Sequence, residues 1–252
     1  MEKIGLKIEK VNKFFRIVPA EKNLFEDFSL EVLPGEFLTI FGPNGSGKTT
    51  LLNIISGLLA PDAGLVDFSN QKSKPKISYI FQNYRESLFP WMKIYENIAY
   101  PLKIQGLSKK QRLAKVEEIC KRFAVDLDLE VYPYRLSGGQ QQLVAILRGL
   151  IDKPEIILMD EPFASLDYQT TLQSEQKLQE IWQEIRTTTI FVSHDLRESI
   201  LLADRIVLFG KNKPTKIISI VDNKLTRPRK TTTITSSKFI EIEKKILKLL
   251  ED

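Results

Sequence analysis

Hydrophobic and polar residues follow two different patterns in the segments that are predicted to form strands. They alternate in Ile4 to Val11 and in Phe28 to Val32, which predicts half-exposed antiparallel strands. Nearly unbroken apolar runs, typical of parallel strands covered on both faces, occur in Phe37 to Phe41, Ile156 to Met159 and Thr189 to Val192. The pattern therefore predicts an α/β fold, with an antiparallel β subdomain beside a mostly parallel sheet.

Helical spacing of apolar residues marks the remaining elements. Ser108 suits a helix N-cap, and apolar side chains follow it three and four positions apart. Further amphipathic helices are predicted over Tyr168 to Ile185, Asp195 to Ala203 and Phe239 to Leu250. These helices would cover the sheet and build a separate helical part.

The chain has 252 residues, 42% of them hydrophobic, which is enough for one globular domain with a buried core. The expected parts of this domain, residues 1–252, are a core of residues 1–82 and 154–222, an inserted helical subdomain of residues 83–153, and a tail of residues 223–252 with an amphipathic helix. The polar stretches 69–76 and 223–237 are expected to form surface turns, and Arg227 to Lys230 a solvated linker.

The composition favours a cytosolic protein without a nucleic-acid partner. The net charge is +5, but 37 basic residues are scattered among 32 acidic ones, as on an ordinary solvated surface. The single cysteine, Cys120, cannot form an intrachain disulfide and is expected to be a small buried residue. Charges interrupt the segment Met1 to Ile8, and no apolar run approaches the ~20 residues of a membrane span.

A glycine-rich segment between a predicted strand and a predicted helix carries the strongest chemical signal. The segment Gly42-Pro-Asn-Gly-Ser-Gly-Lys-Thr49 fits G-x-x-x-x-G-K-S/T, whose backbone N–H groups converge on phosphate oxygens. Lys48 is placed to neutralise the β- and γ-phosphates, and Thr49 offers a hydroxyl to Mg²⁺. A glycine-rich turn of no function is disfavoured because strand and helix flank the segment in the required order.

Four polar residues follow apolar strands and are expected at one edge of the sheet. They are Asp160, Glu161, Gln82 and His194. Asp160 would hold Mg²⁺, and Glu161 would orient the attacking water and accept its proton. Gln82 would reach Mg²⁺ or water. A lone histidine is more often structural, but the place where His194 emerges favours a catalytic or sensing role.

A second anion-binding helix start is predicted at Leu136-Ser-Gly-Gly-Gln140. Ser137 suits the N-cap of a helix over Gln141 to Leu150. A cap alone does not explain Gly138 and Gly139, because glycines weaken a helix start unless something must approach the backbone closely.

Together with Ser165-Leu-Asp167, these motifs resemble, in order and spacing, the nucleotide-binding subunit of an ABC transporter. The resemblance extends from about Ile4 to Gly210. It implies a P-loop NTPase core with flanking helices, ATP and Mg²⁺ as ligands, and ATP hydrolysis coupled to transport. The implied nucleotide-binding residues are Phe15, Gly42, Pro43, Asn44, Gly45, Ser46, Gly47, Lys48, Thr49, Thr50, Ser137, Gly138, Gly139, Gln140 and Asp167.

In that family two subunits face head to tail, which implies a homodimer that closes on ATP. Ser137 to Gly139 of one copy would contact the γ-phosphate held by Lys48 of the other, and Asp167 would cross the interface. Phe15 matches the aromatic residue that stacks on adenine. Phe14 could serve instead, and either side chain could be plain core.

The segment Ser87 to Asn97 resembles the importer branch of the family, in particular subunits for nitrate, sulfonate, taurine or thiamine-precursor uptake. Its pair Pro90-Trp91 would help form a groove, between Gln82 and Asn97, for a short helix of the transmembrane permease. An extracytoplasmic substrate-binding protein would complete the system, and the subunit would lie on the cytoplasmic face of the membrane. The alternative for Trp91 is a side chain that caps the core of the helical insert.

The chain departs from the family pattern at Gln141-Gln142, where relatives commonly carry a basic residue, although Arg148 is retained. Ser193 stands where threonine is frequent. The alternative function is a soluble ABC ATPase that acts on nucleic acid or the ribosome, but such proteins usually carry a coiled-coil insertion or two tandem cassettes. A P-loop kinase or GTPase is disfavoured because it has no use for Leu136 to Gln140.

Overall fold

The structure, a computed structural model, describes residues 4–17, 20–68 and 75–251. The strands are β1 (Leu6–Ile17), β2 (Ala20–Val32), β3 (Phe37–Phe41), β4 (Ala63–Phe68), β5 (Ile77–Ile80), β6 (Ile156–Asp160), β7 (Thr188–Ser193), β8 (Arg205–Phe209) and β9 (Ile217–Asp222). The α-helices are α1 (Lys48–Ser56), α2 (Tyr84–Ser87), α3 (Ile94–Ile98), α4 (Tyr100–Ile104), α5 (Lys109–Arg122), α6 (Gly138–Leu150), α7 (Tyr168–Ile185), α8 (Leu196–Leu202) and α9 (Ser237–Glu251).

Two sheets organise the described part of the chain. A three-stranded antiparallel sheet has the order β2-β1-β4, and a six-stranded sheet has the order β5-β6-β7-β3-β8-β9. In the larger sheet only β9 runs antiparallel to its neighbour. The apolar runs in β6 and β7 are buried along their whole length, because helices cover both faces of these central strands. The predicted fold class is confirmed.

The two faces of the larger sheet belong to different hydrophobic clusters. On one face, side chains from the antiparallel sheet and from α1 pack against Leu38 and Ile40 of β3. On the other face, Phe37 of β3 packs with Trp182 of α7 and with the apolar residues of α3 to α6. The helical insert therefore shares its core with the sheet, and the division into core, helical subdomain and tail stays a prediction.

Local predictions for the helices agree with the structure at several points. The Ser108 hydroxyl accepts a hydrogen bond from the Gln111 N–H and caps α5. Cys120 is buried in the same helix. In α9, Phe239 and Ile246 are fully buried against α8 and β9. The part of the expected surface turn at 69–74 lies outside the described residues.

The prediction of a solvated linker at Arg227 to Lys230 is wrong. Arg229 is buried, and its guanidinium donates to the carbonyl oxygens of Ile200, Ala203 and Leu225 at 2.6 to 3.2 Å. The physical reason is that the last carbonyl groups of a helix find no N–H donor within that helix. An arginine has five N–H donors, and Arg229 uses its donors to bond the carbonyl groups at the end of α8. The stretch 223–237 is accordingly more than a surface turn.

Candidate functional site

The glycine-rich segment forms a loop between β3 and α1. Gly45 and Gly47 have φ angles of 74° and 97°, in the left-handed region that favours glycine. A Cβ at Gly47 would lie 2.9 Å from the Phe25 ring, so this position has no room for a side chain. The Lys48 ammonium donates to the carbonyl oxygens of Gly42 at 2.9 Å and Pro43 at 3.2 Å. The lysine is thus held beneath the loop, as the motif requires.

The loop opens into a cleft lined by seven of the fifteen residues predicted to bind nucleotide and by Gln82 and Glu161. The residues that line this cleft are Phe15, Leu24, Asn44, Gly45, Gly47, Lys48, Thr49, Thr50, Gln82 and Glu161. Phe15, not Phe14, is among them. The Lys13 ammonium lies 5.7 Å from the centre of the Phe15 ring. This placement favours Phe15 as the residue that would stack on a base, and the stacking itself stays a prediction.

The carboxylate of Glu161 is the meeting point of the predicted catalytic side chains. It lies 2.8 Å from His194 Nδ1, 3.3 Å from Gln82 Nε2 and 3.5 Å from the Lys48 ammonium. Its side chain is only 11% exposed. Glu161 itself has a positive φ of 42°, and its N–H donates to the Val192 carbonyl at 3.0 Å. The backbone just beyond β6 is therefore tied to β7.

The register of the parallel strands explains why these residues meet. Asp160 pairs with Val192, and Phe41 pairs with Ser193. Glu161 and Ser193 follow the first pair, and Gly42 and His194 follow the second, so Glu161, His194 and the phosphate loop leave the sheet at the same edge. On the other flank Ile80 pairs with Met159, which brings Gln82 next to Glu161 in the same way.

Asp160 has the surroundings expected of a ligand for a hard cation. It is 4% exposed, and its Oδ1 atom has no hydrogen-bond partner among the described residues, while Oδ2 lies 3.5 Å from the Tyr79 hydroxyl. Burial raises the pKa of Asp160, and the Thr49 hydroxyl and the Lys48 ammonium oppose that effect. A carboxylate oxygen without a partner beside a threonine hydroxyl fits Mg²⁺, which takes oxygen ligands.

No cluster of three or more His, Cys, Asp or Glu side chains that could hold a metal occurs in residues 4–17, 20–68 and 75–251. Mg²⁺ at Asp160 and Thr49 would thus need further oxygen ligands from phosphate or water, which is its usual habit in nucleotide sites. Gln82 donates to Glu161 at 3.3 Å. Its predicted role as a metal ligand stays a prediction.

The second glycine motif lies away from this cleft. Ser137 caps α6, because its hydroxyl accepts the Gln140 N–H at 3.3 Å while its own N–H donates to the Gln140 side chain at 3.0 Å. Ser137, Gly139 and Gln140 line a separate small cleft together with residues of α7. The motif is therefore not part of the Lys48 cleft of the same chain.

Gly139 has a packing role that the sequence alone did not reveal. A Cβ at this position would lie 2.5 Å from Cγ2 of Thr170 in α7. Thr170 in turn donates its N–H, at 3.0 Å, and its hydroxyl, at 2.6 Å, to the carboxylate of Asp167, the exposed N-cap of α7. These bonds lower the pKa of Asp167. The close approach expected at Gly139 is thus made, within the chain, by a neighbouring helix.

A groove lies at the junction of the larger sheet and the helical insert, and the sequence predicted only part of its lining. Its volume is about 620 Å³. Phe81, Phe89, Tyr100 and Arg148 are among the lining residues, and the Arg148 guanidinium donates to the Ser87 carbonyl at 2.7 Å. Asn83, Glu86, Ser87 and Phe89 belong to the predicted docking range of residues 82–97. Neither Tyr100 nor Arg148 was predicted to lie here, because the fold alone brings them to this groove.

Trp91 does not cap the core of the insert, since it is 70% exposed. Its ring lies 5.7 Å from that of Phe89, so it stands at the margin of the groove. Asn97, at the other end of the expected docking segment, is fully buried. Its amide group bonds the backbone of Phe89, Met92 and Lys93 at 2.8 to 3.2 Å. Asn97 therefore shapes the loop that presents Trp91 and does not itself reach the surface.

The comparisons with known proteins agree with this geometry. The family model for ABC transporters matches residues 25–164, more than half of the chain. The chain belongs to the ABC transporter family. The resemblance predicted from the motifs is confirmed, and the chain is an ATPase of this family. None of its described helices has the length and apolarity to cross a membrane.

Curated relatives match almost the whole chain. An uncharacterized ABC transporter ATP-binding protein of Methanocaldococcus jannaschii is 41% identical over 99% of this chain and 92% of its own length. An aliphatic sulfonates import ATP-binding protein of Bacillus cereus is 38% identical over 97% and 95%. A bicarbonate transport ATP-binding protein of Synechococcus elongatus is 38% identical over 88% of this chain and 34% of its own length. Relatives with these names support the importer branch.

Solved structures show the same cassette. The ABC transporter cassette MJ0796, solved as a dimer, is 30% identical and superimposes with a TM-score of 0.73 over 88% of this chain and 100% of its own. The same cassette has also been solved in a post-hydrolysis state bound to ADP and phosphate. This similarity confirms the fold class.

The contact between Gly139 and Thr170 yields a prediction that separates packing from nucleotide contact. Gly139→Ala should destabilise the protein by about 1–3 kcal/mol, because the new methyl group overlaps the Thr170 methyl group. Thermal unfolding of the purified chain measures this loss. Adding Thr170→Ser removes only the overlapping methyl group, keeps the hydroxyl that bonds Asp167, and should restore most of the stability.

The double variant then tests the second role of the glycine. If the backbone at Gly139 must also approach a nucleotide, Gly139→Ala with Thr170→Ser should be stable yet hydrolyse ATP slowly. Stability that is not recovered by Thr170→Ser would contradict the packing account. Thr170→Ser alone is the matched control, and it should unfold and hydrolyse ATP as the unaltered chain does.

Proposed function

We propose that this protein is the ATP-hydrolysing subunit of an ABC importer for a small anionic or polar solute. Two copies would sandwich ATP and Mg²⁺ head to tail, and closure and opening of that dimer would drive transmembrane permease subunits. The proposal is supported chiefly by one observation, the convergence of Lys48, Gln82 and His194 on the buried carboxylate of Glu161.

The proposed chemistry follows from the position of each group around the cleft. The loop N–H groups and Lys48 would bind the β- and γ-phosphates. Glu161 would orient the attacking water and take its proton, with Gln82 and His194 holding the carboxylate in place from two sides. Mg²⁺ at Asp160 and Thr49 would neutralise charge on the phosphate oxygens. His194, 53% exposed in the described chain, is open to contact the γ-phosphate.

A head-to-tail dimer is proposed because each chain carries two separate halves of a site. The Lys48 cleft and the Ser137 helix start are lined by different residues. Ser137 to Gln140 present a helix N-terminus, a suitable anion site, but within one chain this end faces α7 and not the Lys48 cleft. Asp167 is exposed beside it. A second copy turned end to end would supply the missing half to each cleft.

The groove beside Trp91 is proposed as the docking surface for the permease. Aromatic rings from β5, the Phe89 loop and α4 line it, and the exposed Trp91 stands at its margin. An apolar groove with a rim of charged groups suits a short amphipathic helix. Phe81 lines the groove and directly precedes Gln82, so a movement of the groove would also displace Gln82 from its position beside Glu161. The subunit would then sit on the cytoplasmic face of the membrane, and a substrate-binding protein would deliver the solute.

The solute class is proposed from the names of the relatives. They include import ATP-binding proteins for aliphatic sulfonates and for molybdate or tungstate, and a transport ATP-binding protein for bicarbonate. These solutes are small oxyanions. We propose a solute of this kind. Nitrate and taurine fit the same description, and a thiamine precursor is the polar alternative predicted from the sequence.

Glu161→Gln tests the proposed hydrolysis and the dimer together. The amide keeps the shape of the side chain but cannot take a proton, so kcat should fall about 10²- to 10⁴-fold. ATP binding should persist, because Lys48 and the loop are untouched, and a dimer should accumulate with Mg-ATP. Size-exclusion chromatography and a phosphate-release assay measure both effects. Adding Lys48→Ala should abolish the dimer, whereas unchanged hydrolysis in Glu161→Gln would reject Glu161 as the base.

Trp91→Ala tests the docking surface. The isolated subunit should hydrolyse ATP within about twofold of the unaltered chain, because Trp91 lies outside the cleft. Co-purification with co-expressed permease subunits should fall by about tenfold or more, as expected for an exposed aromatic anchor. Leu58→Ala, which truncates a side chain that is 65% exposed at the end of α1, is the control. Normal assembly of the Trp91→Ala variant with the permease would contradict a role for Trp91 in the docking surface.

A further inference from the structure

Helix α8 begins directly after the backbone turn that carries His194, and its one acidic residue, Glu198, points inward. Glu198 is only 8% exposed, whereas an acidic residue in the first turn of a helix commonly faces water. Asp195 already caps this helix, because its carboxylate accepts the N–H groups of Arg197 at 2.7 Å and Glu198 at 3.1 Å. The helix start is therefore satisfied without the Glu198 side chain.

The buried carboxyl group of Glu198 instead contacts the residue that precedes His194. The Ser193 hydroxyl donates a hydrogen bond to Glu198 Oε2. The same hydroxyl oxygen accepts the Asp195 N–H at 2.9 Å. Ser193 is thus held between Glu198 on one side and the backbone of Asp195 on the other. These contacts enclose the Ser193 to Asp195 turn, from which the His194 ring reaches Glu161.

The surroundings of Glu198 are costly for a carboxylate, which argues that it serves more than stability. Glu175 faces it from α7, and Asp195 and Glu161 are the other charged groups that act on it. Burial, reinforced by these three carboxyl groups and opposed by the Ser193 hydrogen bond, raises the pKa of Glu198 to about 8. The side chain is therefore mainly a neutral acid at pH 7, and its carbonyl oxygen can still accept from Ser193.

We propose that Glu198 is a positioning residue for His194, which it orients toward Glu161 by holding the Ser193 hydroxyl and, through it, the turn. This inference rests on the catalytic role proposed above for His194. Without the Glu198 carboxyl group the turn would lose its side-chain anchor and keep only the Asp195 N–H bond, and the His194 ring would sample orientations that do not meet the Glu161 carboxylate. Small displacements of a catalytic group cost large factors in rate.

The experiment compares Glu198→Ala, Glu198→Gln and Ser193→Ala in the full chain, with Glu175→Gln as the matched control. Glutamine is neutral, has the same shape, and can accept the Ser193 hydrogen bond. Glu175→Gln makes the same chemical change in a buried side chain, 4% exposed, for which the structure shows no bond to Ser193. His194 is the only histidine of the chain, so its two ring C–H signals in the NMR spectrum need no assignment.

Glu198→Ala and Ser193→Ala should each lower kcat about 10- to 100-fold, with KM for ATP within about twofold, because the phosphate loop is unaffected. Both should shift the His194 ring signals in the same direction, and the double variant should be no worse than either one. Glu198→Gln and Glu175→Gln should keep the ring signals and kcat of the unaltered chain.

The inference is overturned if Glu198→Ala leaves the His194 ring signals in place, or if Glu198→Gln disturbs them as much as Glu198→Ala does. If Glu198→Ala fails to fold, the His194 ring signals and kcat of Ser193→Ala, compared with those of Glu198→Gln, test the same inference. Should His194→Ala hydrolyse ATP at the full rate, the proposed role of His194 fails. The ring signals still decide whether Glu198 orients the ring, so the two failures are distinguishable.

Discussion

The hydrogen bond between the Glu161 N–H and the Val192 carbonyl is the constraint on which the catalytic edge depends. It continues the pairing with β7 by one residue past the end of β6, where Glu161 has a positive φ of 42°. At this sheet edge His194, which follows the neighbouring strand β7, and Lys48, from the phosphate loop after β3, both reach the Glu161 carboxylate. A one-residue change of register would carry these groups to opposite faces, because side chains alternate along a strand.

The nucleotide motifs also hold the fold together, so binding and stability share the same residues. Ser137 caps α6, and Asp167 caps α7. Because Gly139 has no side chain, the two helices pack so closely that a Cβ there would lie 2.5 Å from Cγ2 of Thr170. Gln141, one of the pair Gln141-Gln142 at which the sequence was expected to depart from the family pattern, donates to the Leu136 carbonyl at 3.0 Å at the start of α6.

What the sequence predicted well was set by local pattern, and what it missed depends on tertiary contacts. The edge residues Lys48, Glu161 and His194 each follow a recognisable apolar strand, and their meeting follows from parallel pairing. The burial of Arg229 has no comparable signal, because a basic residue near proline and lysine looks solvated until α8 presents its carbonyl oxygens. The inward orientation of the Glu198 side chain could not be predicted for the same reason. Its partner is the Ser193 hydroxyl, whose orientation only the fold determines.

The central claim is that one nucleotide site is built from two chains, and a cross-linking measurement tests it most directly. In a chain with Cys120 replaced by alanine, one batch would carry Asn44→Cys and a second Arg135→Cys, both at exposed positions near the two halves of the site. With Glu161→Gln, Mg-ATP and a short thiol cross-linker, the account predicts cross-links between the two batches and few within either. Cross-links that form equally without ATP, or that join Asn44→Cys chains to one another, would contradict it.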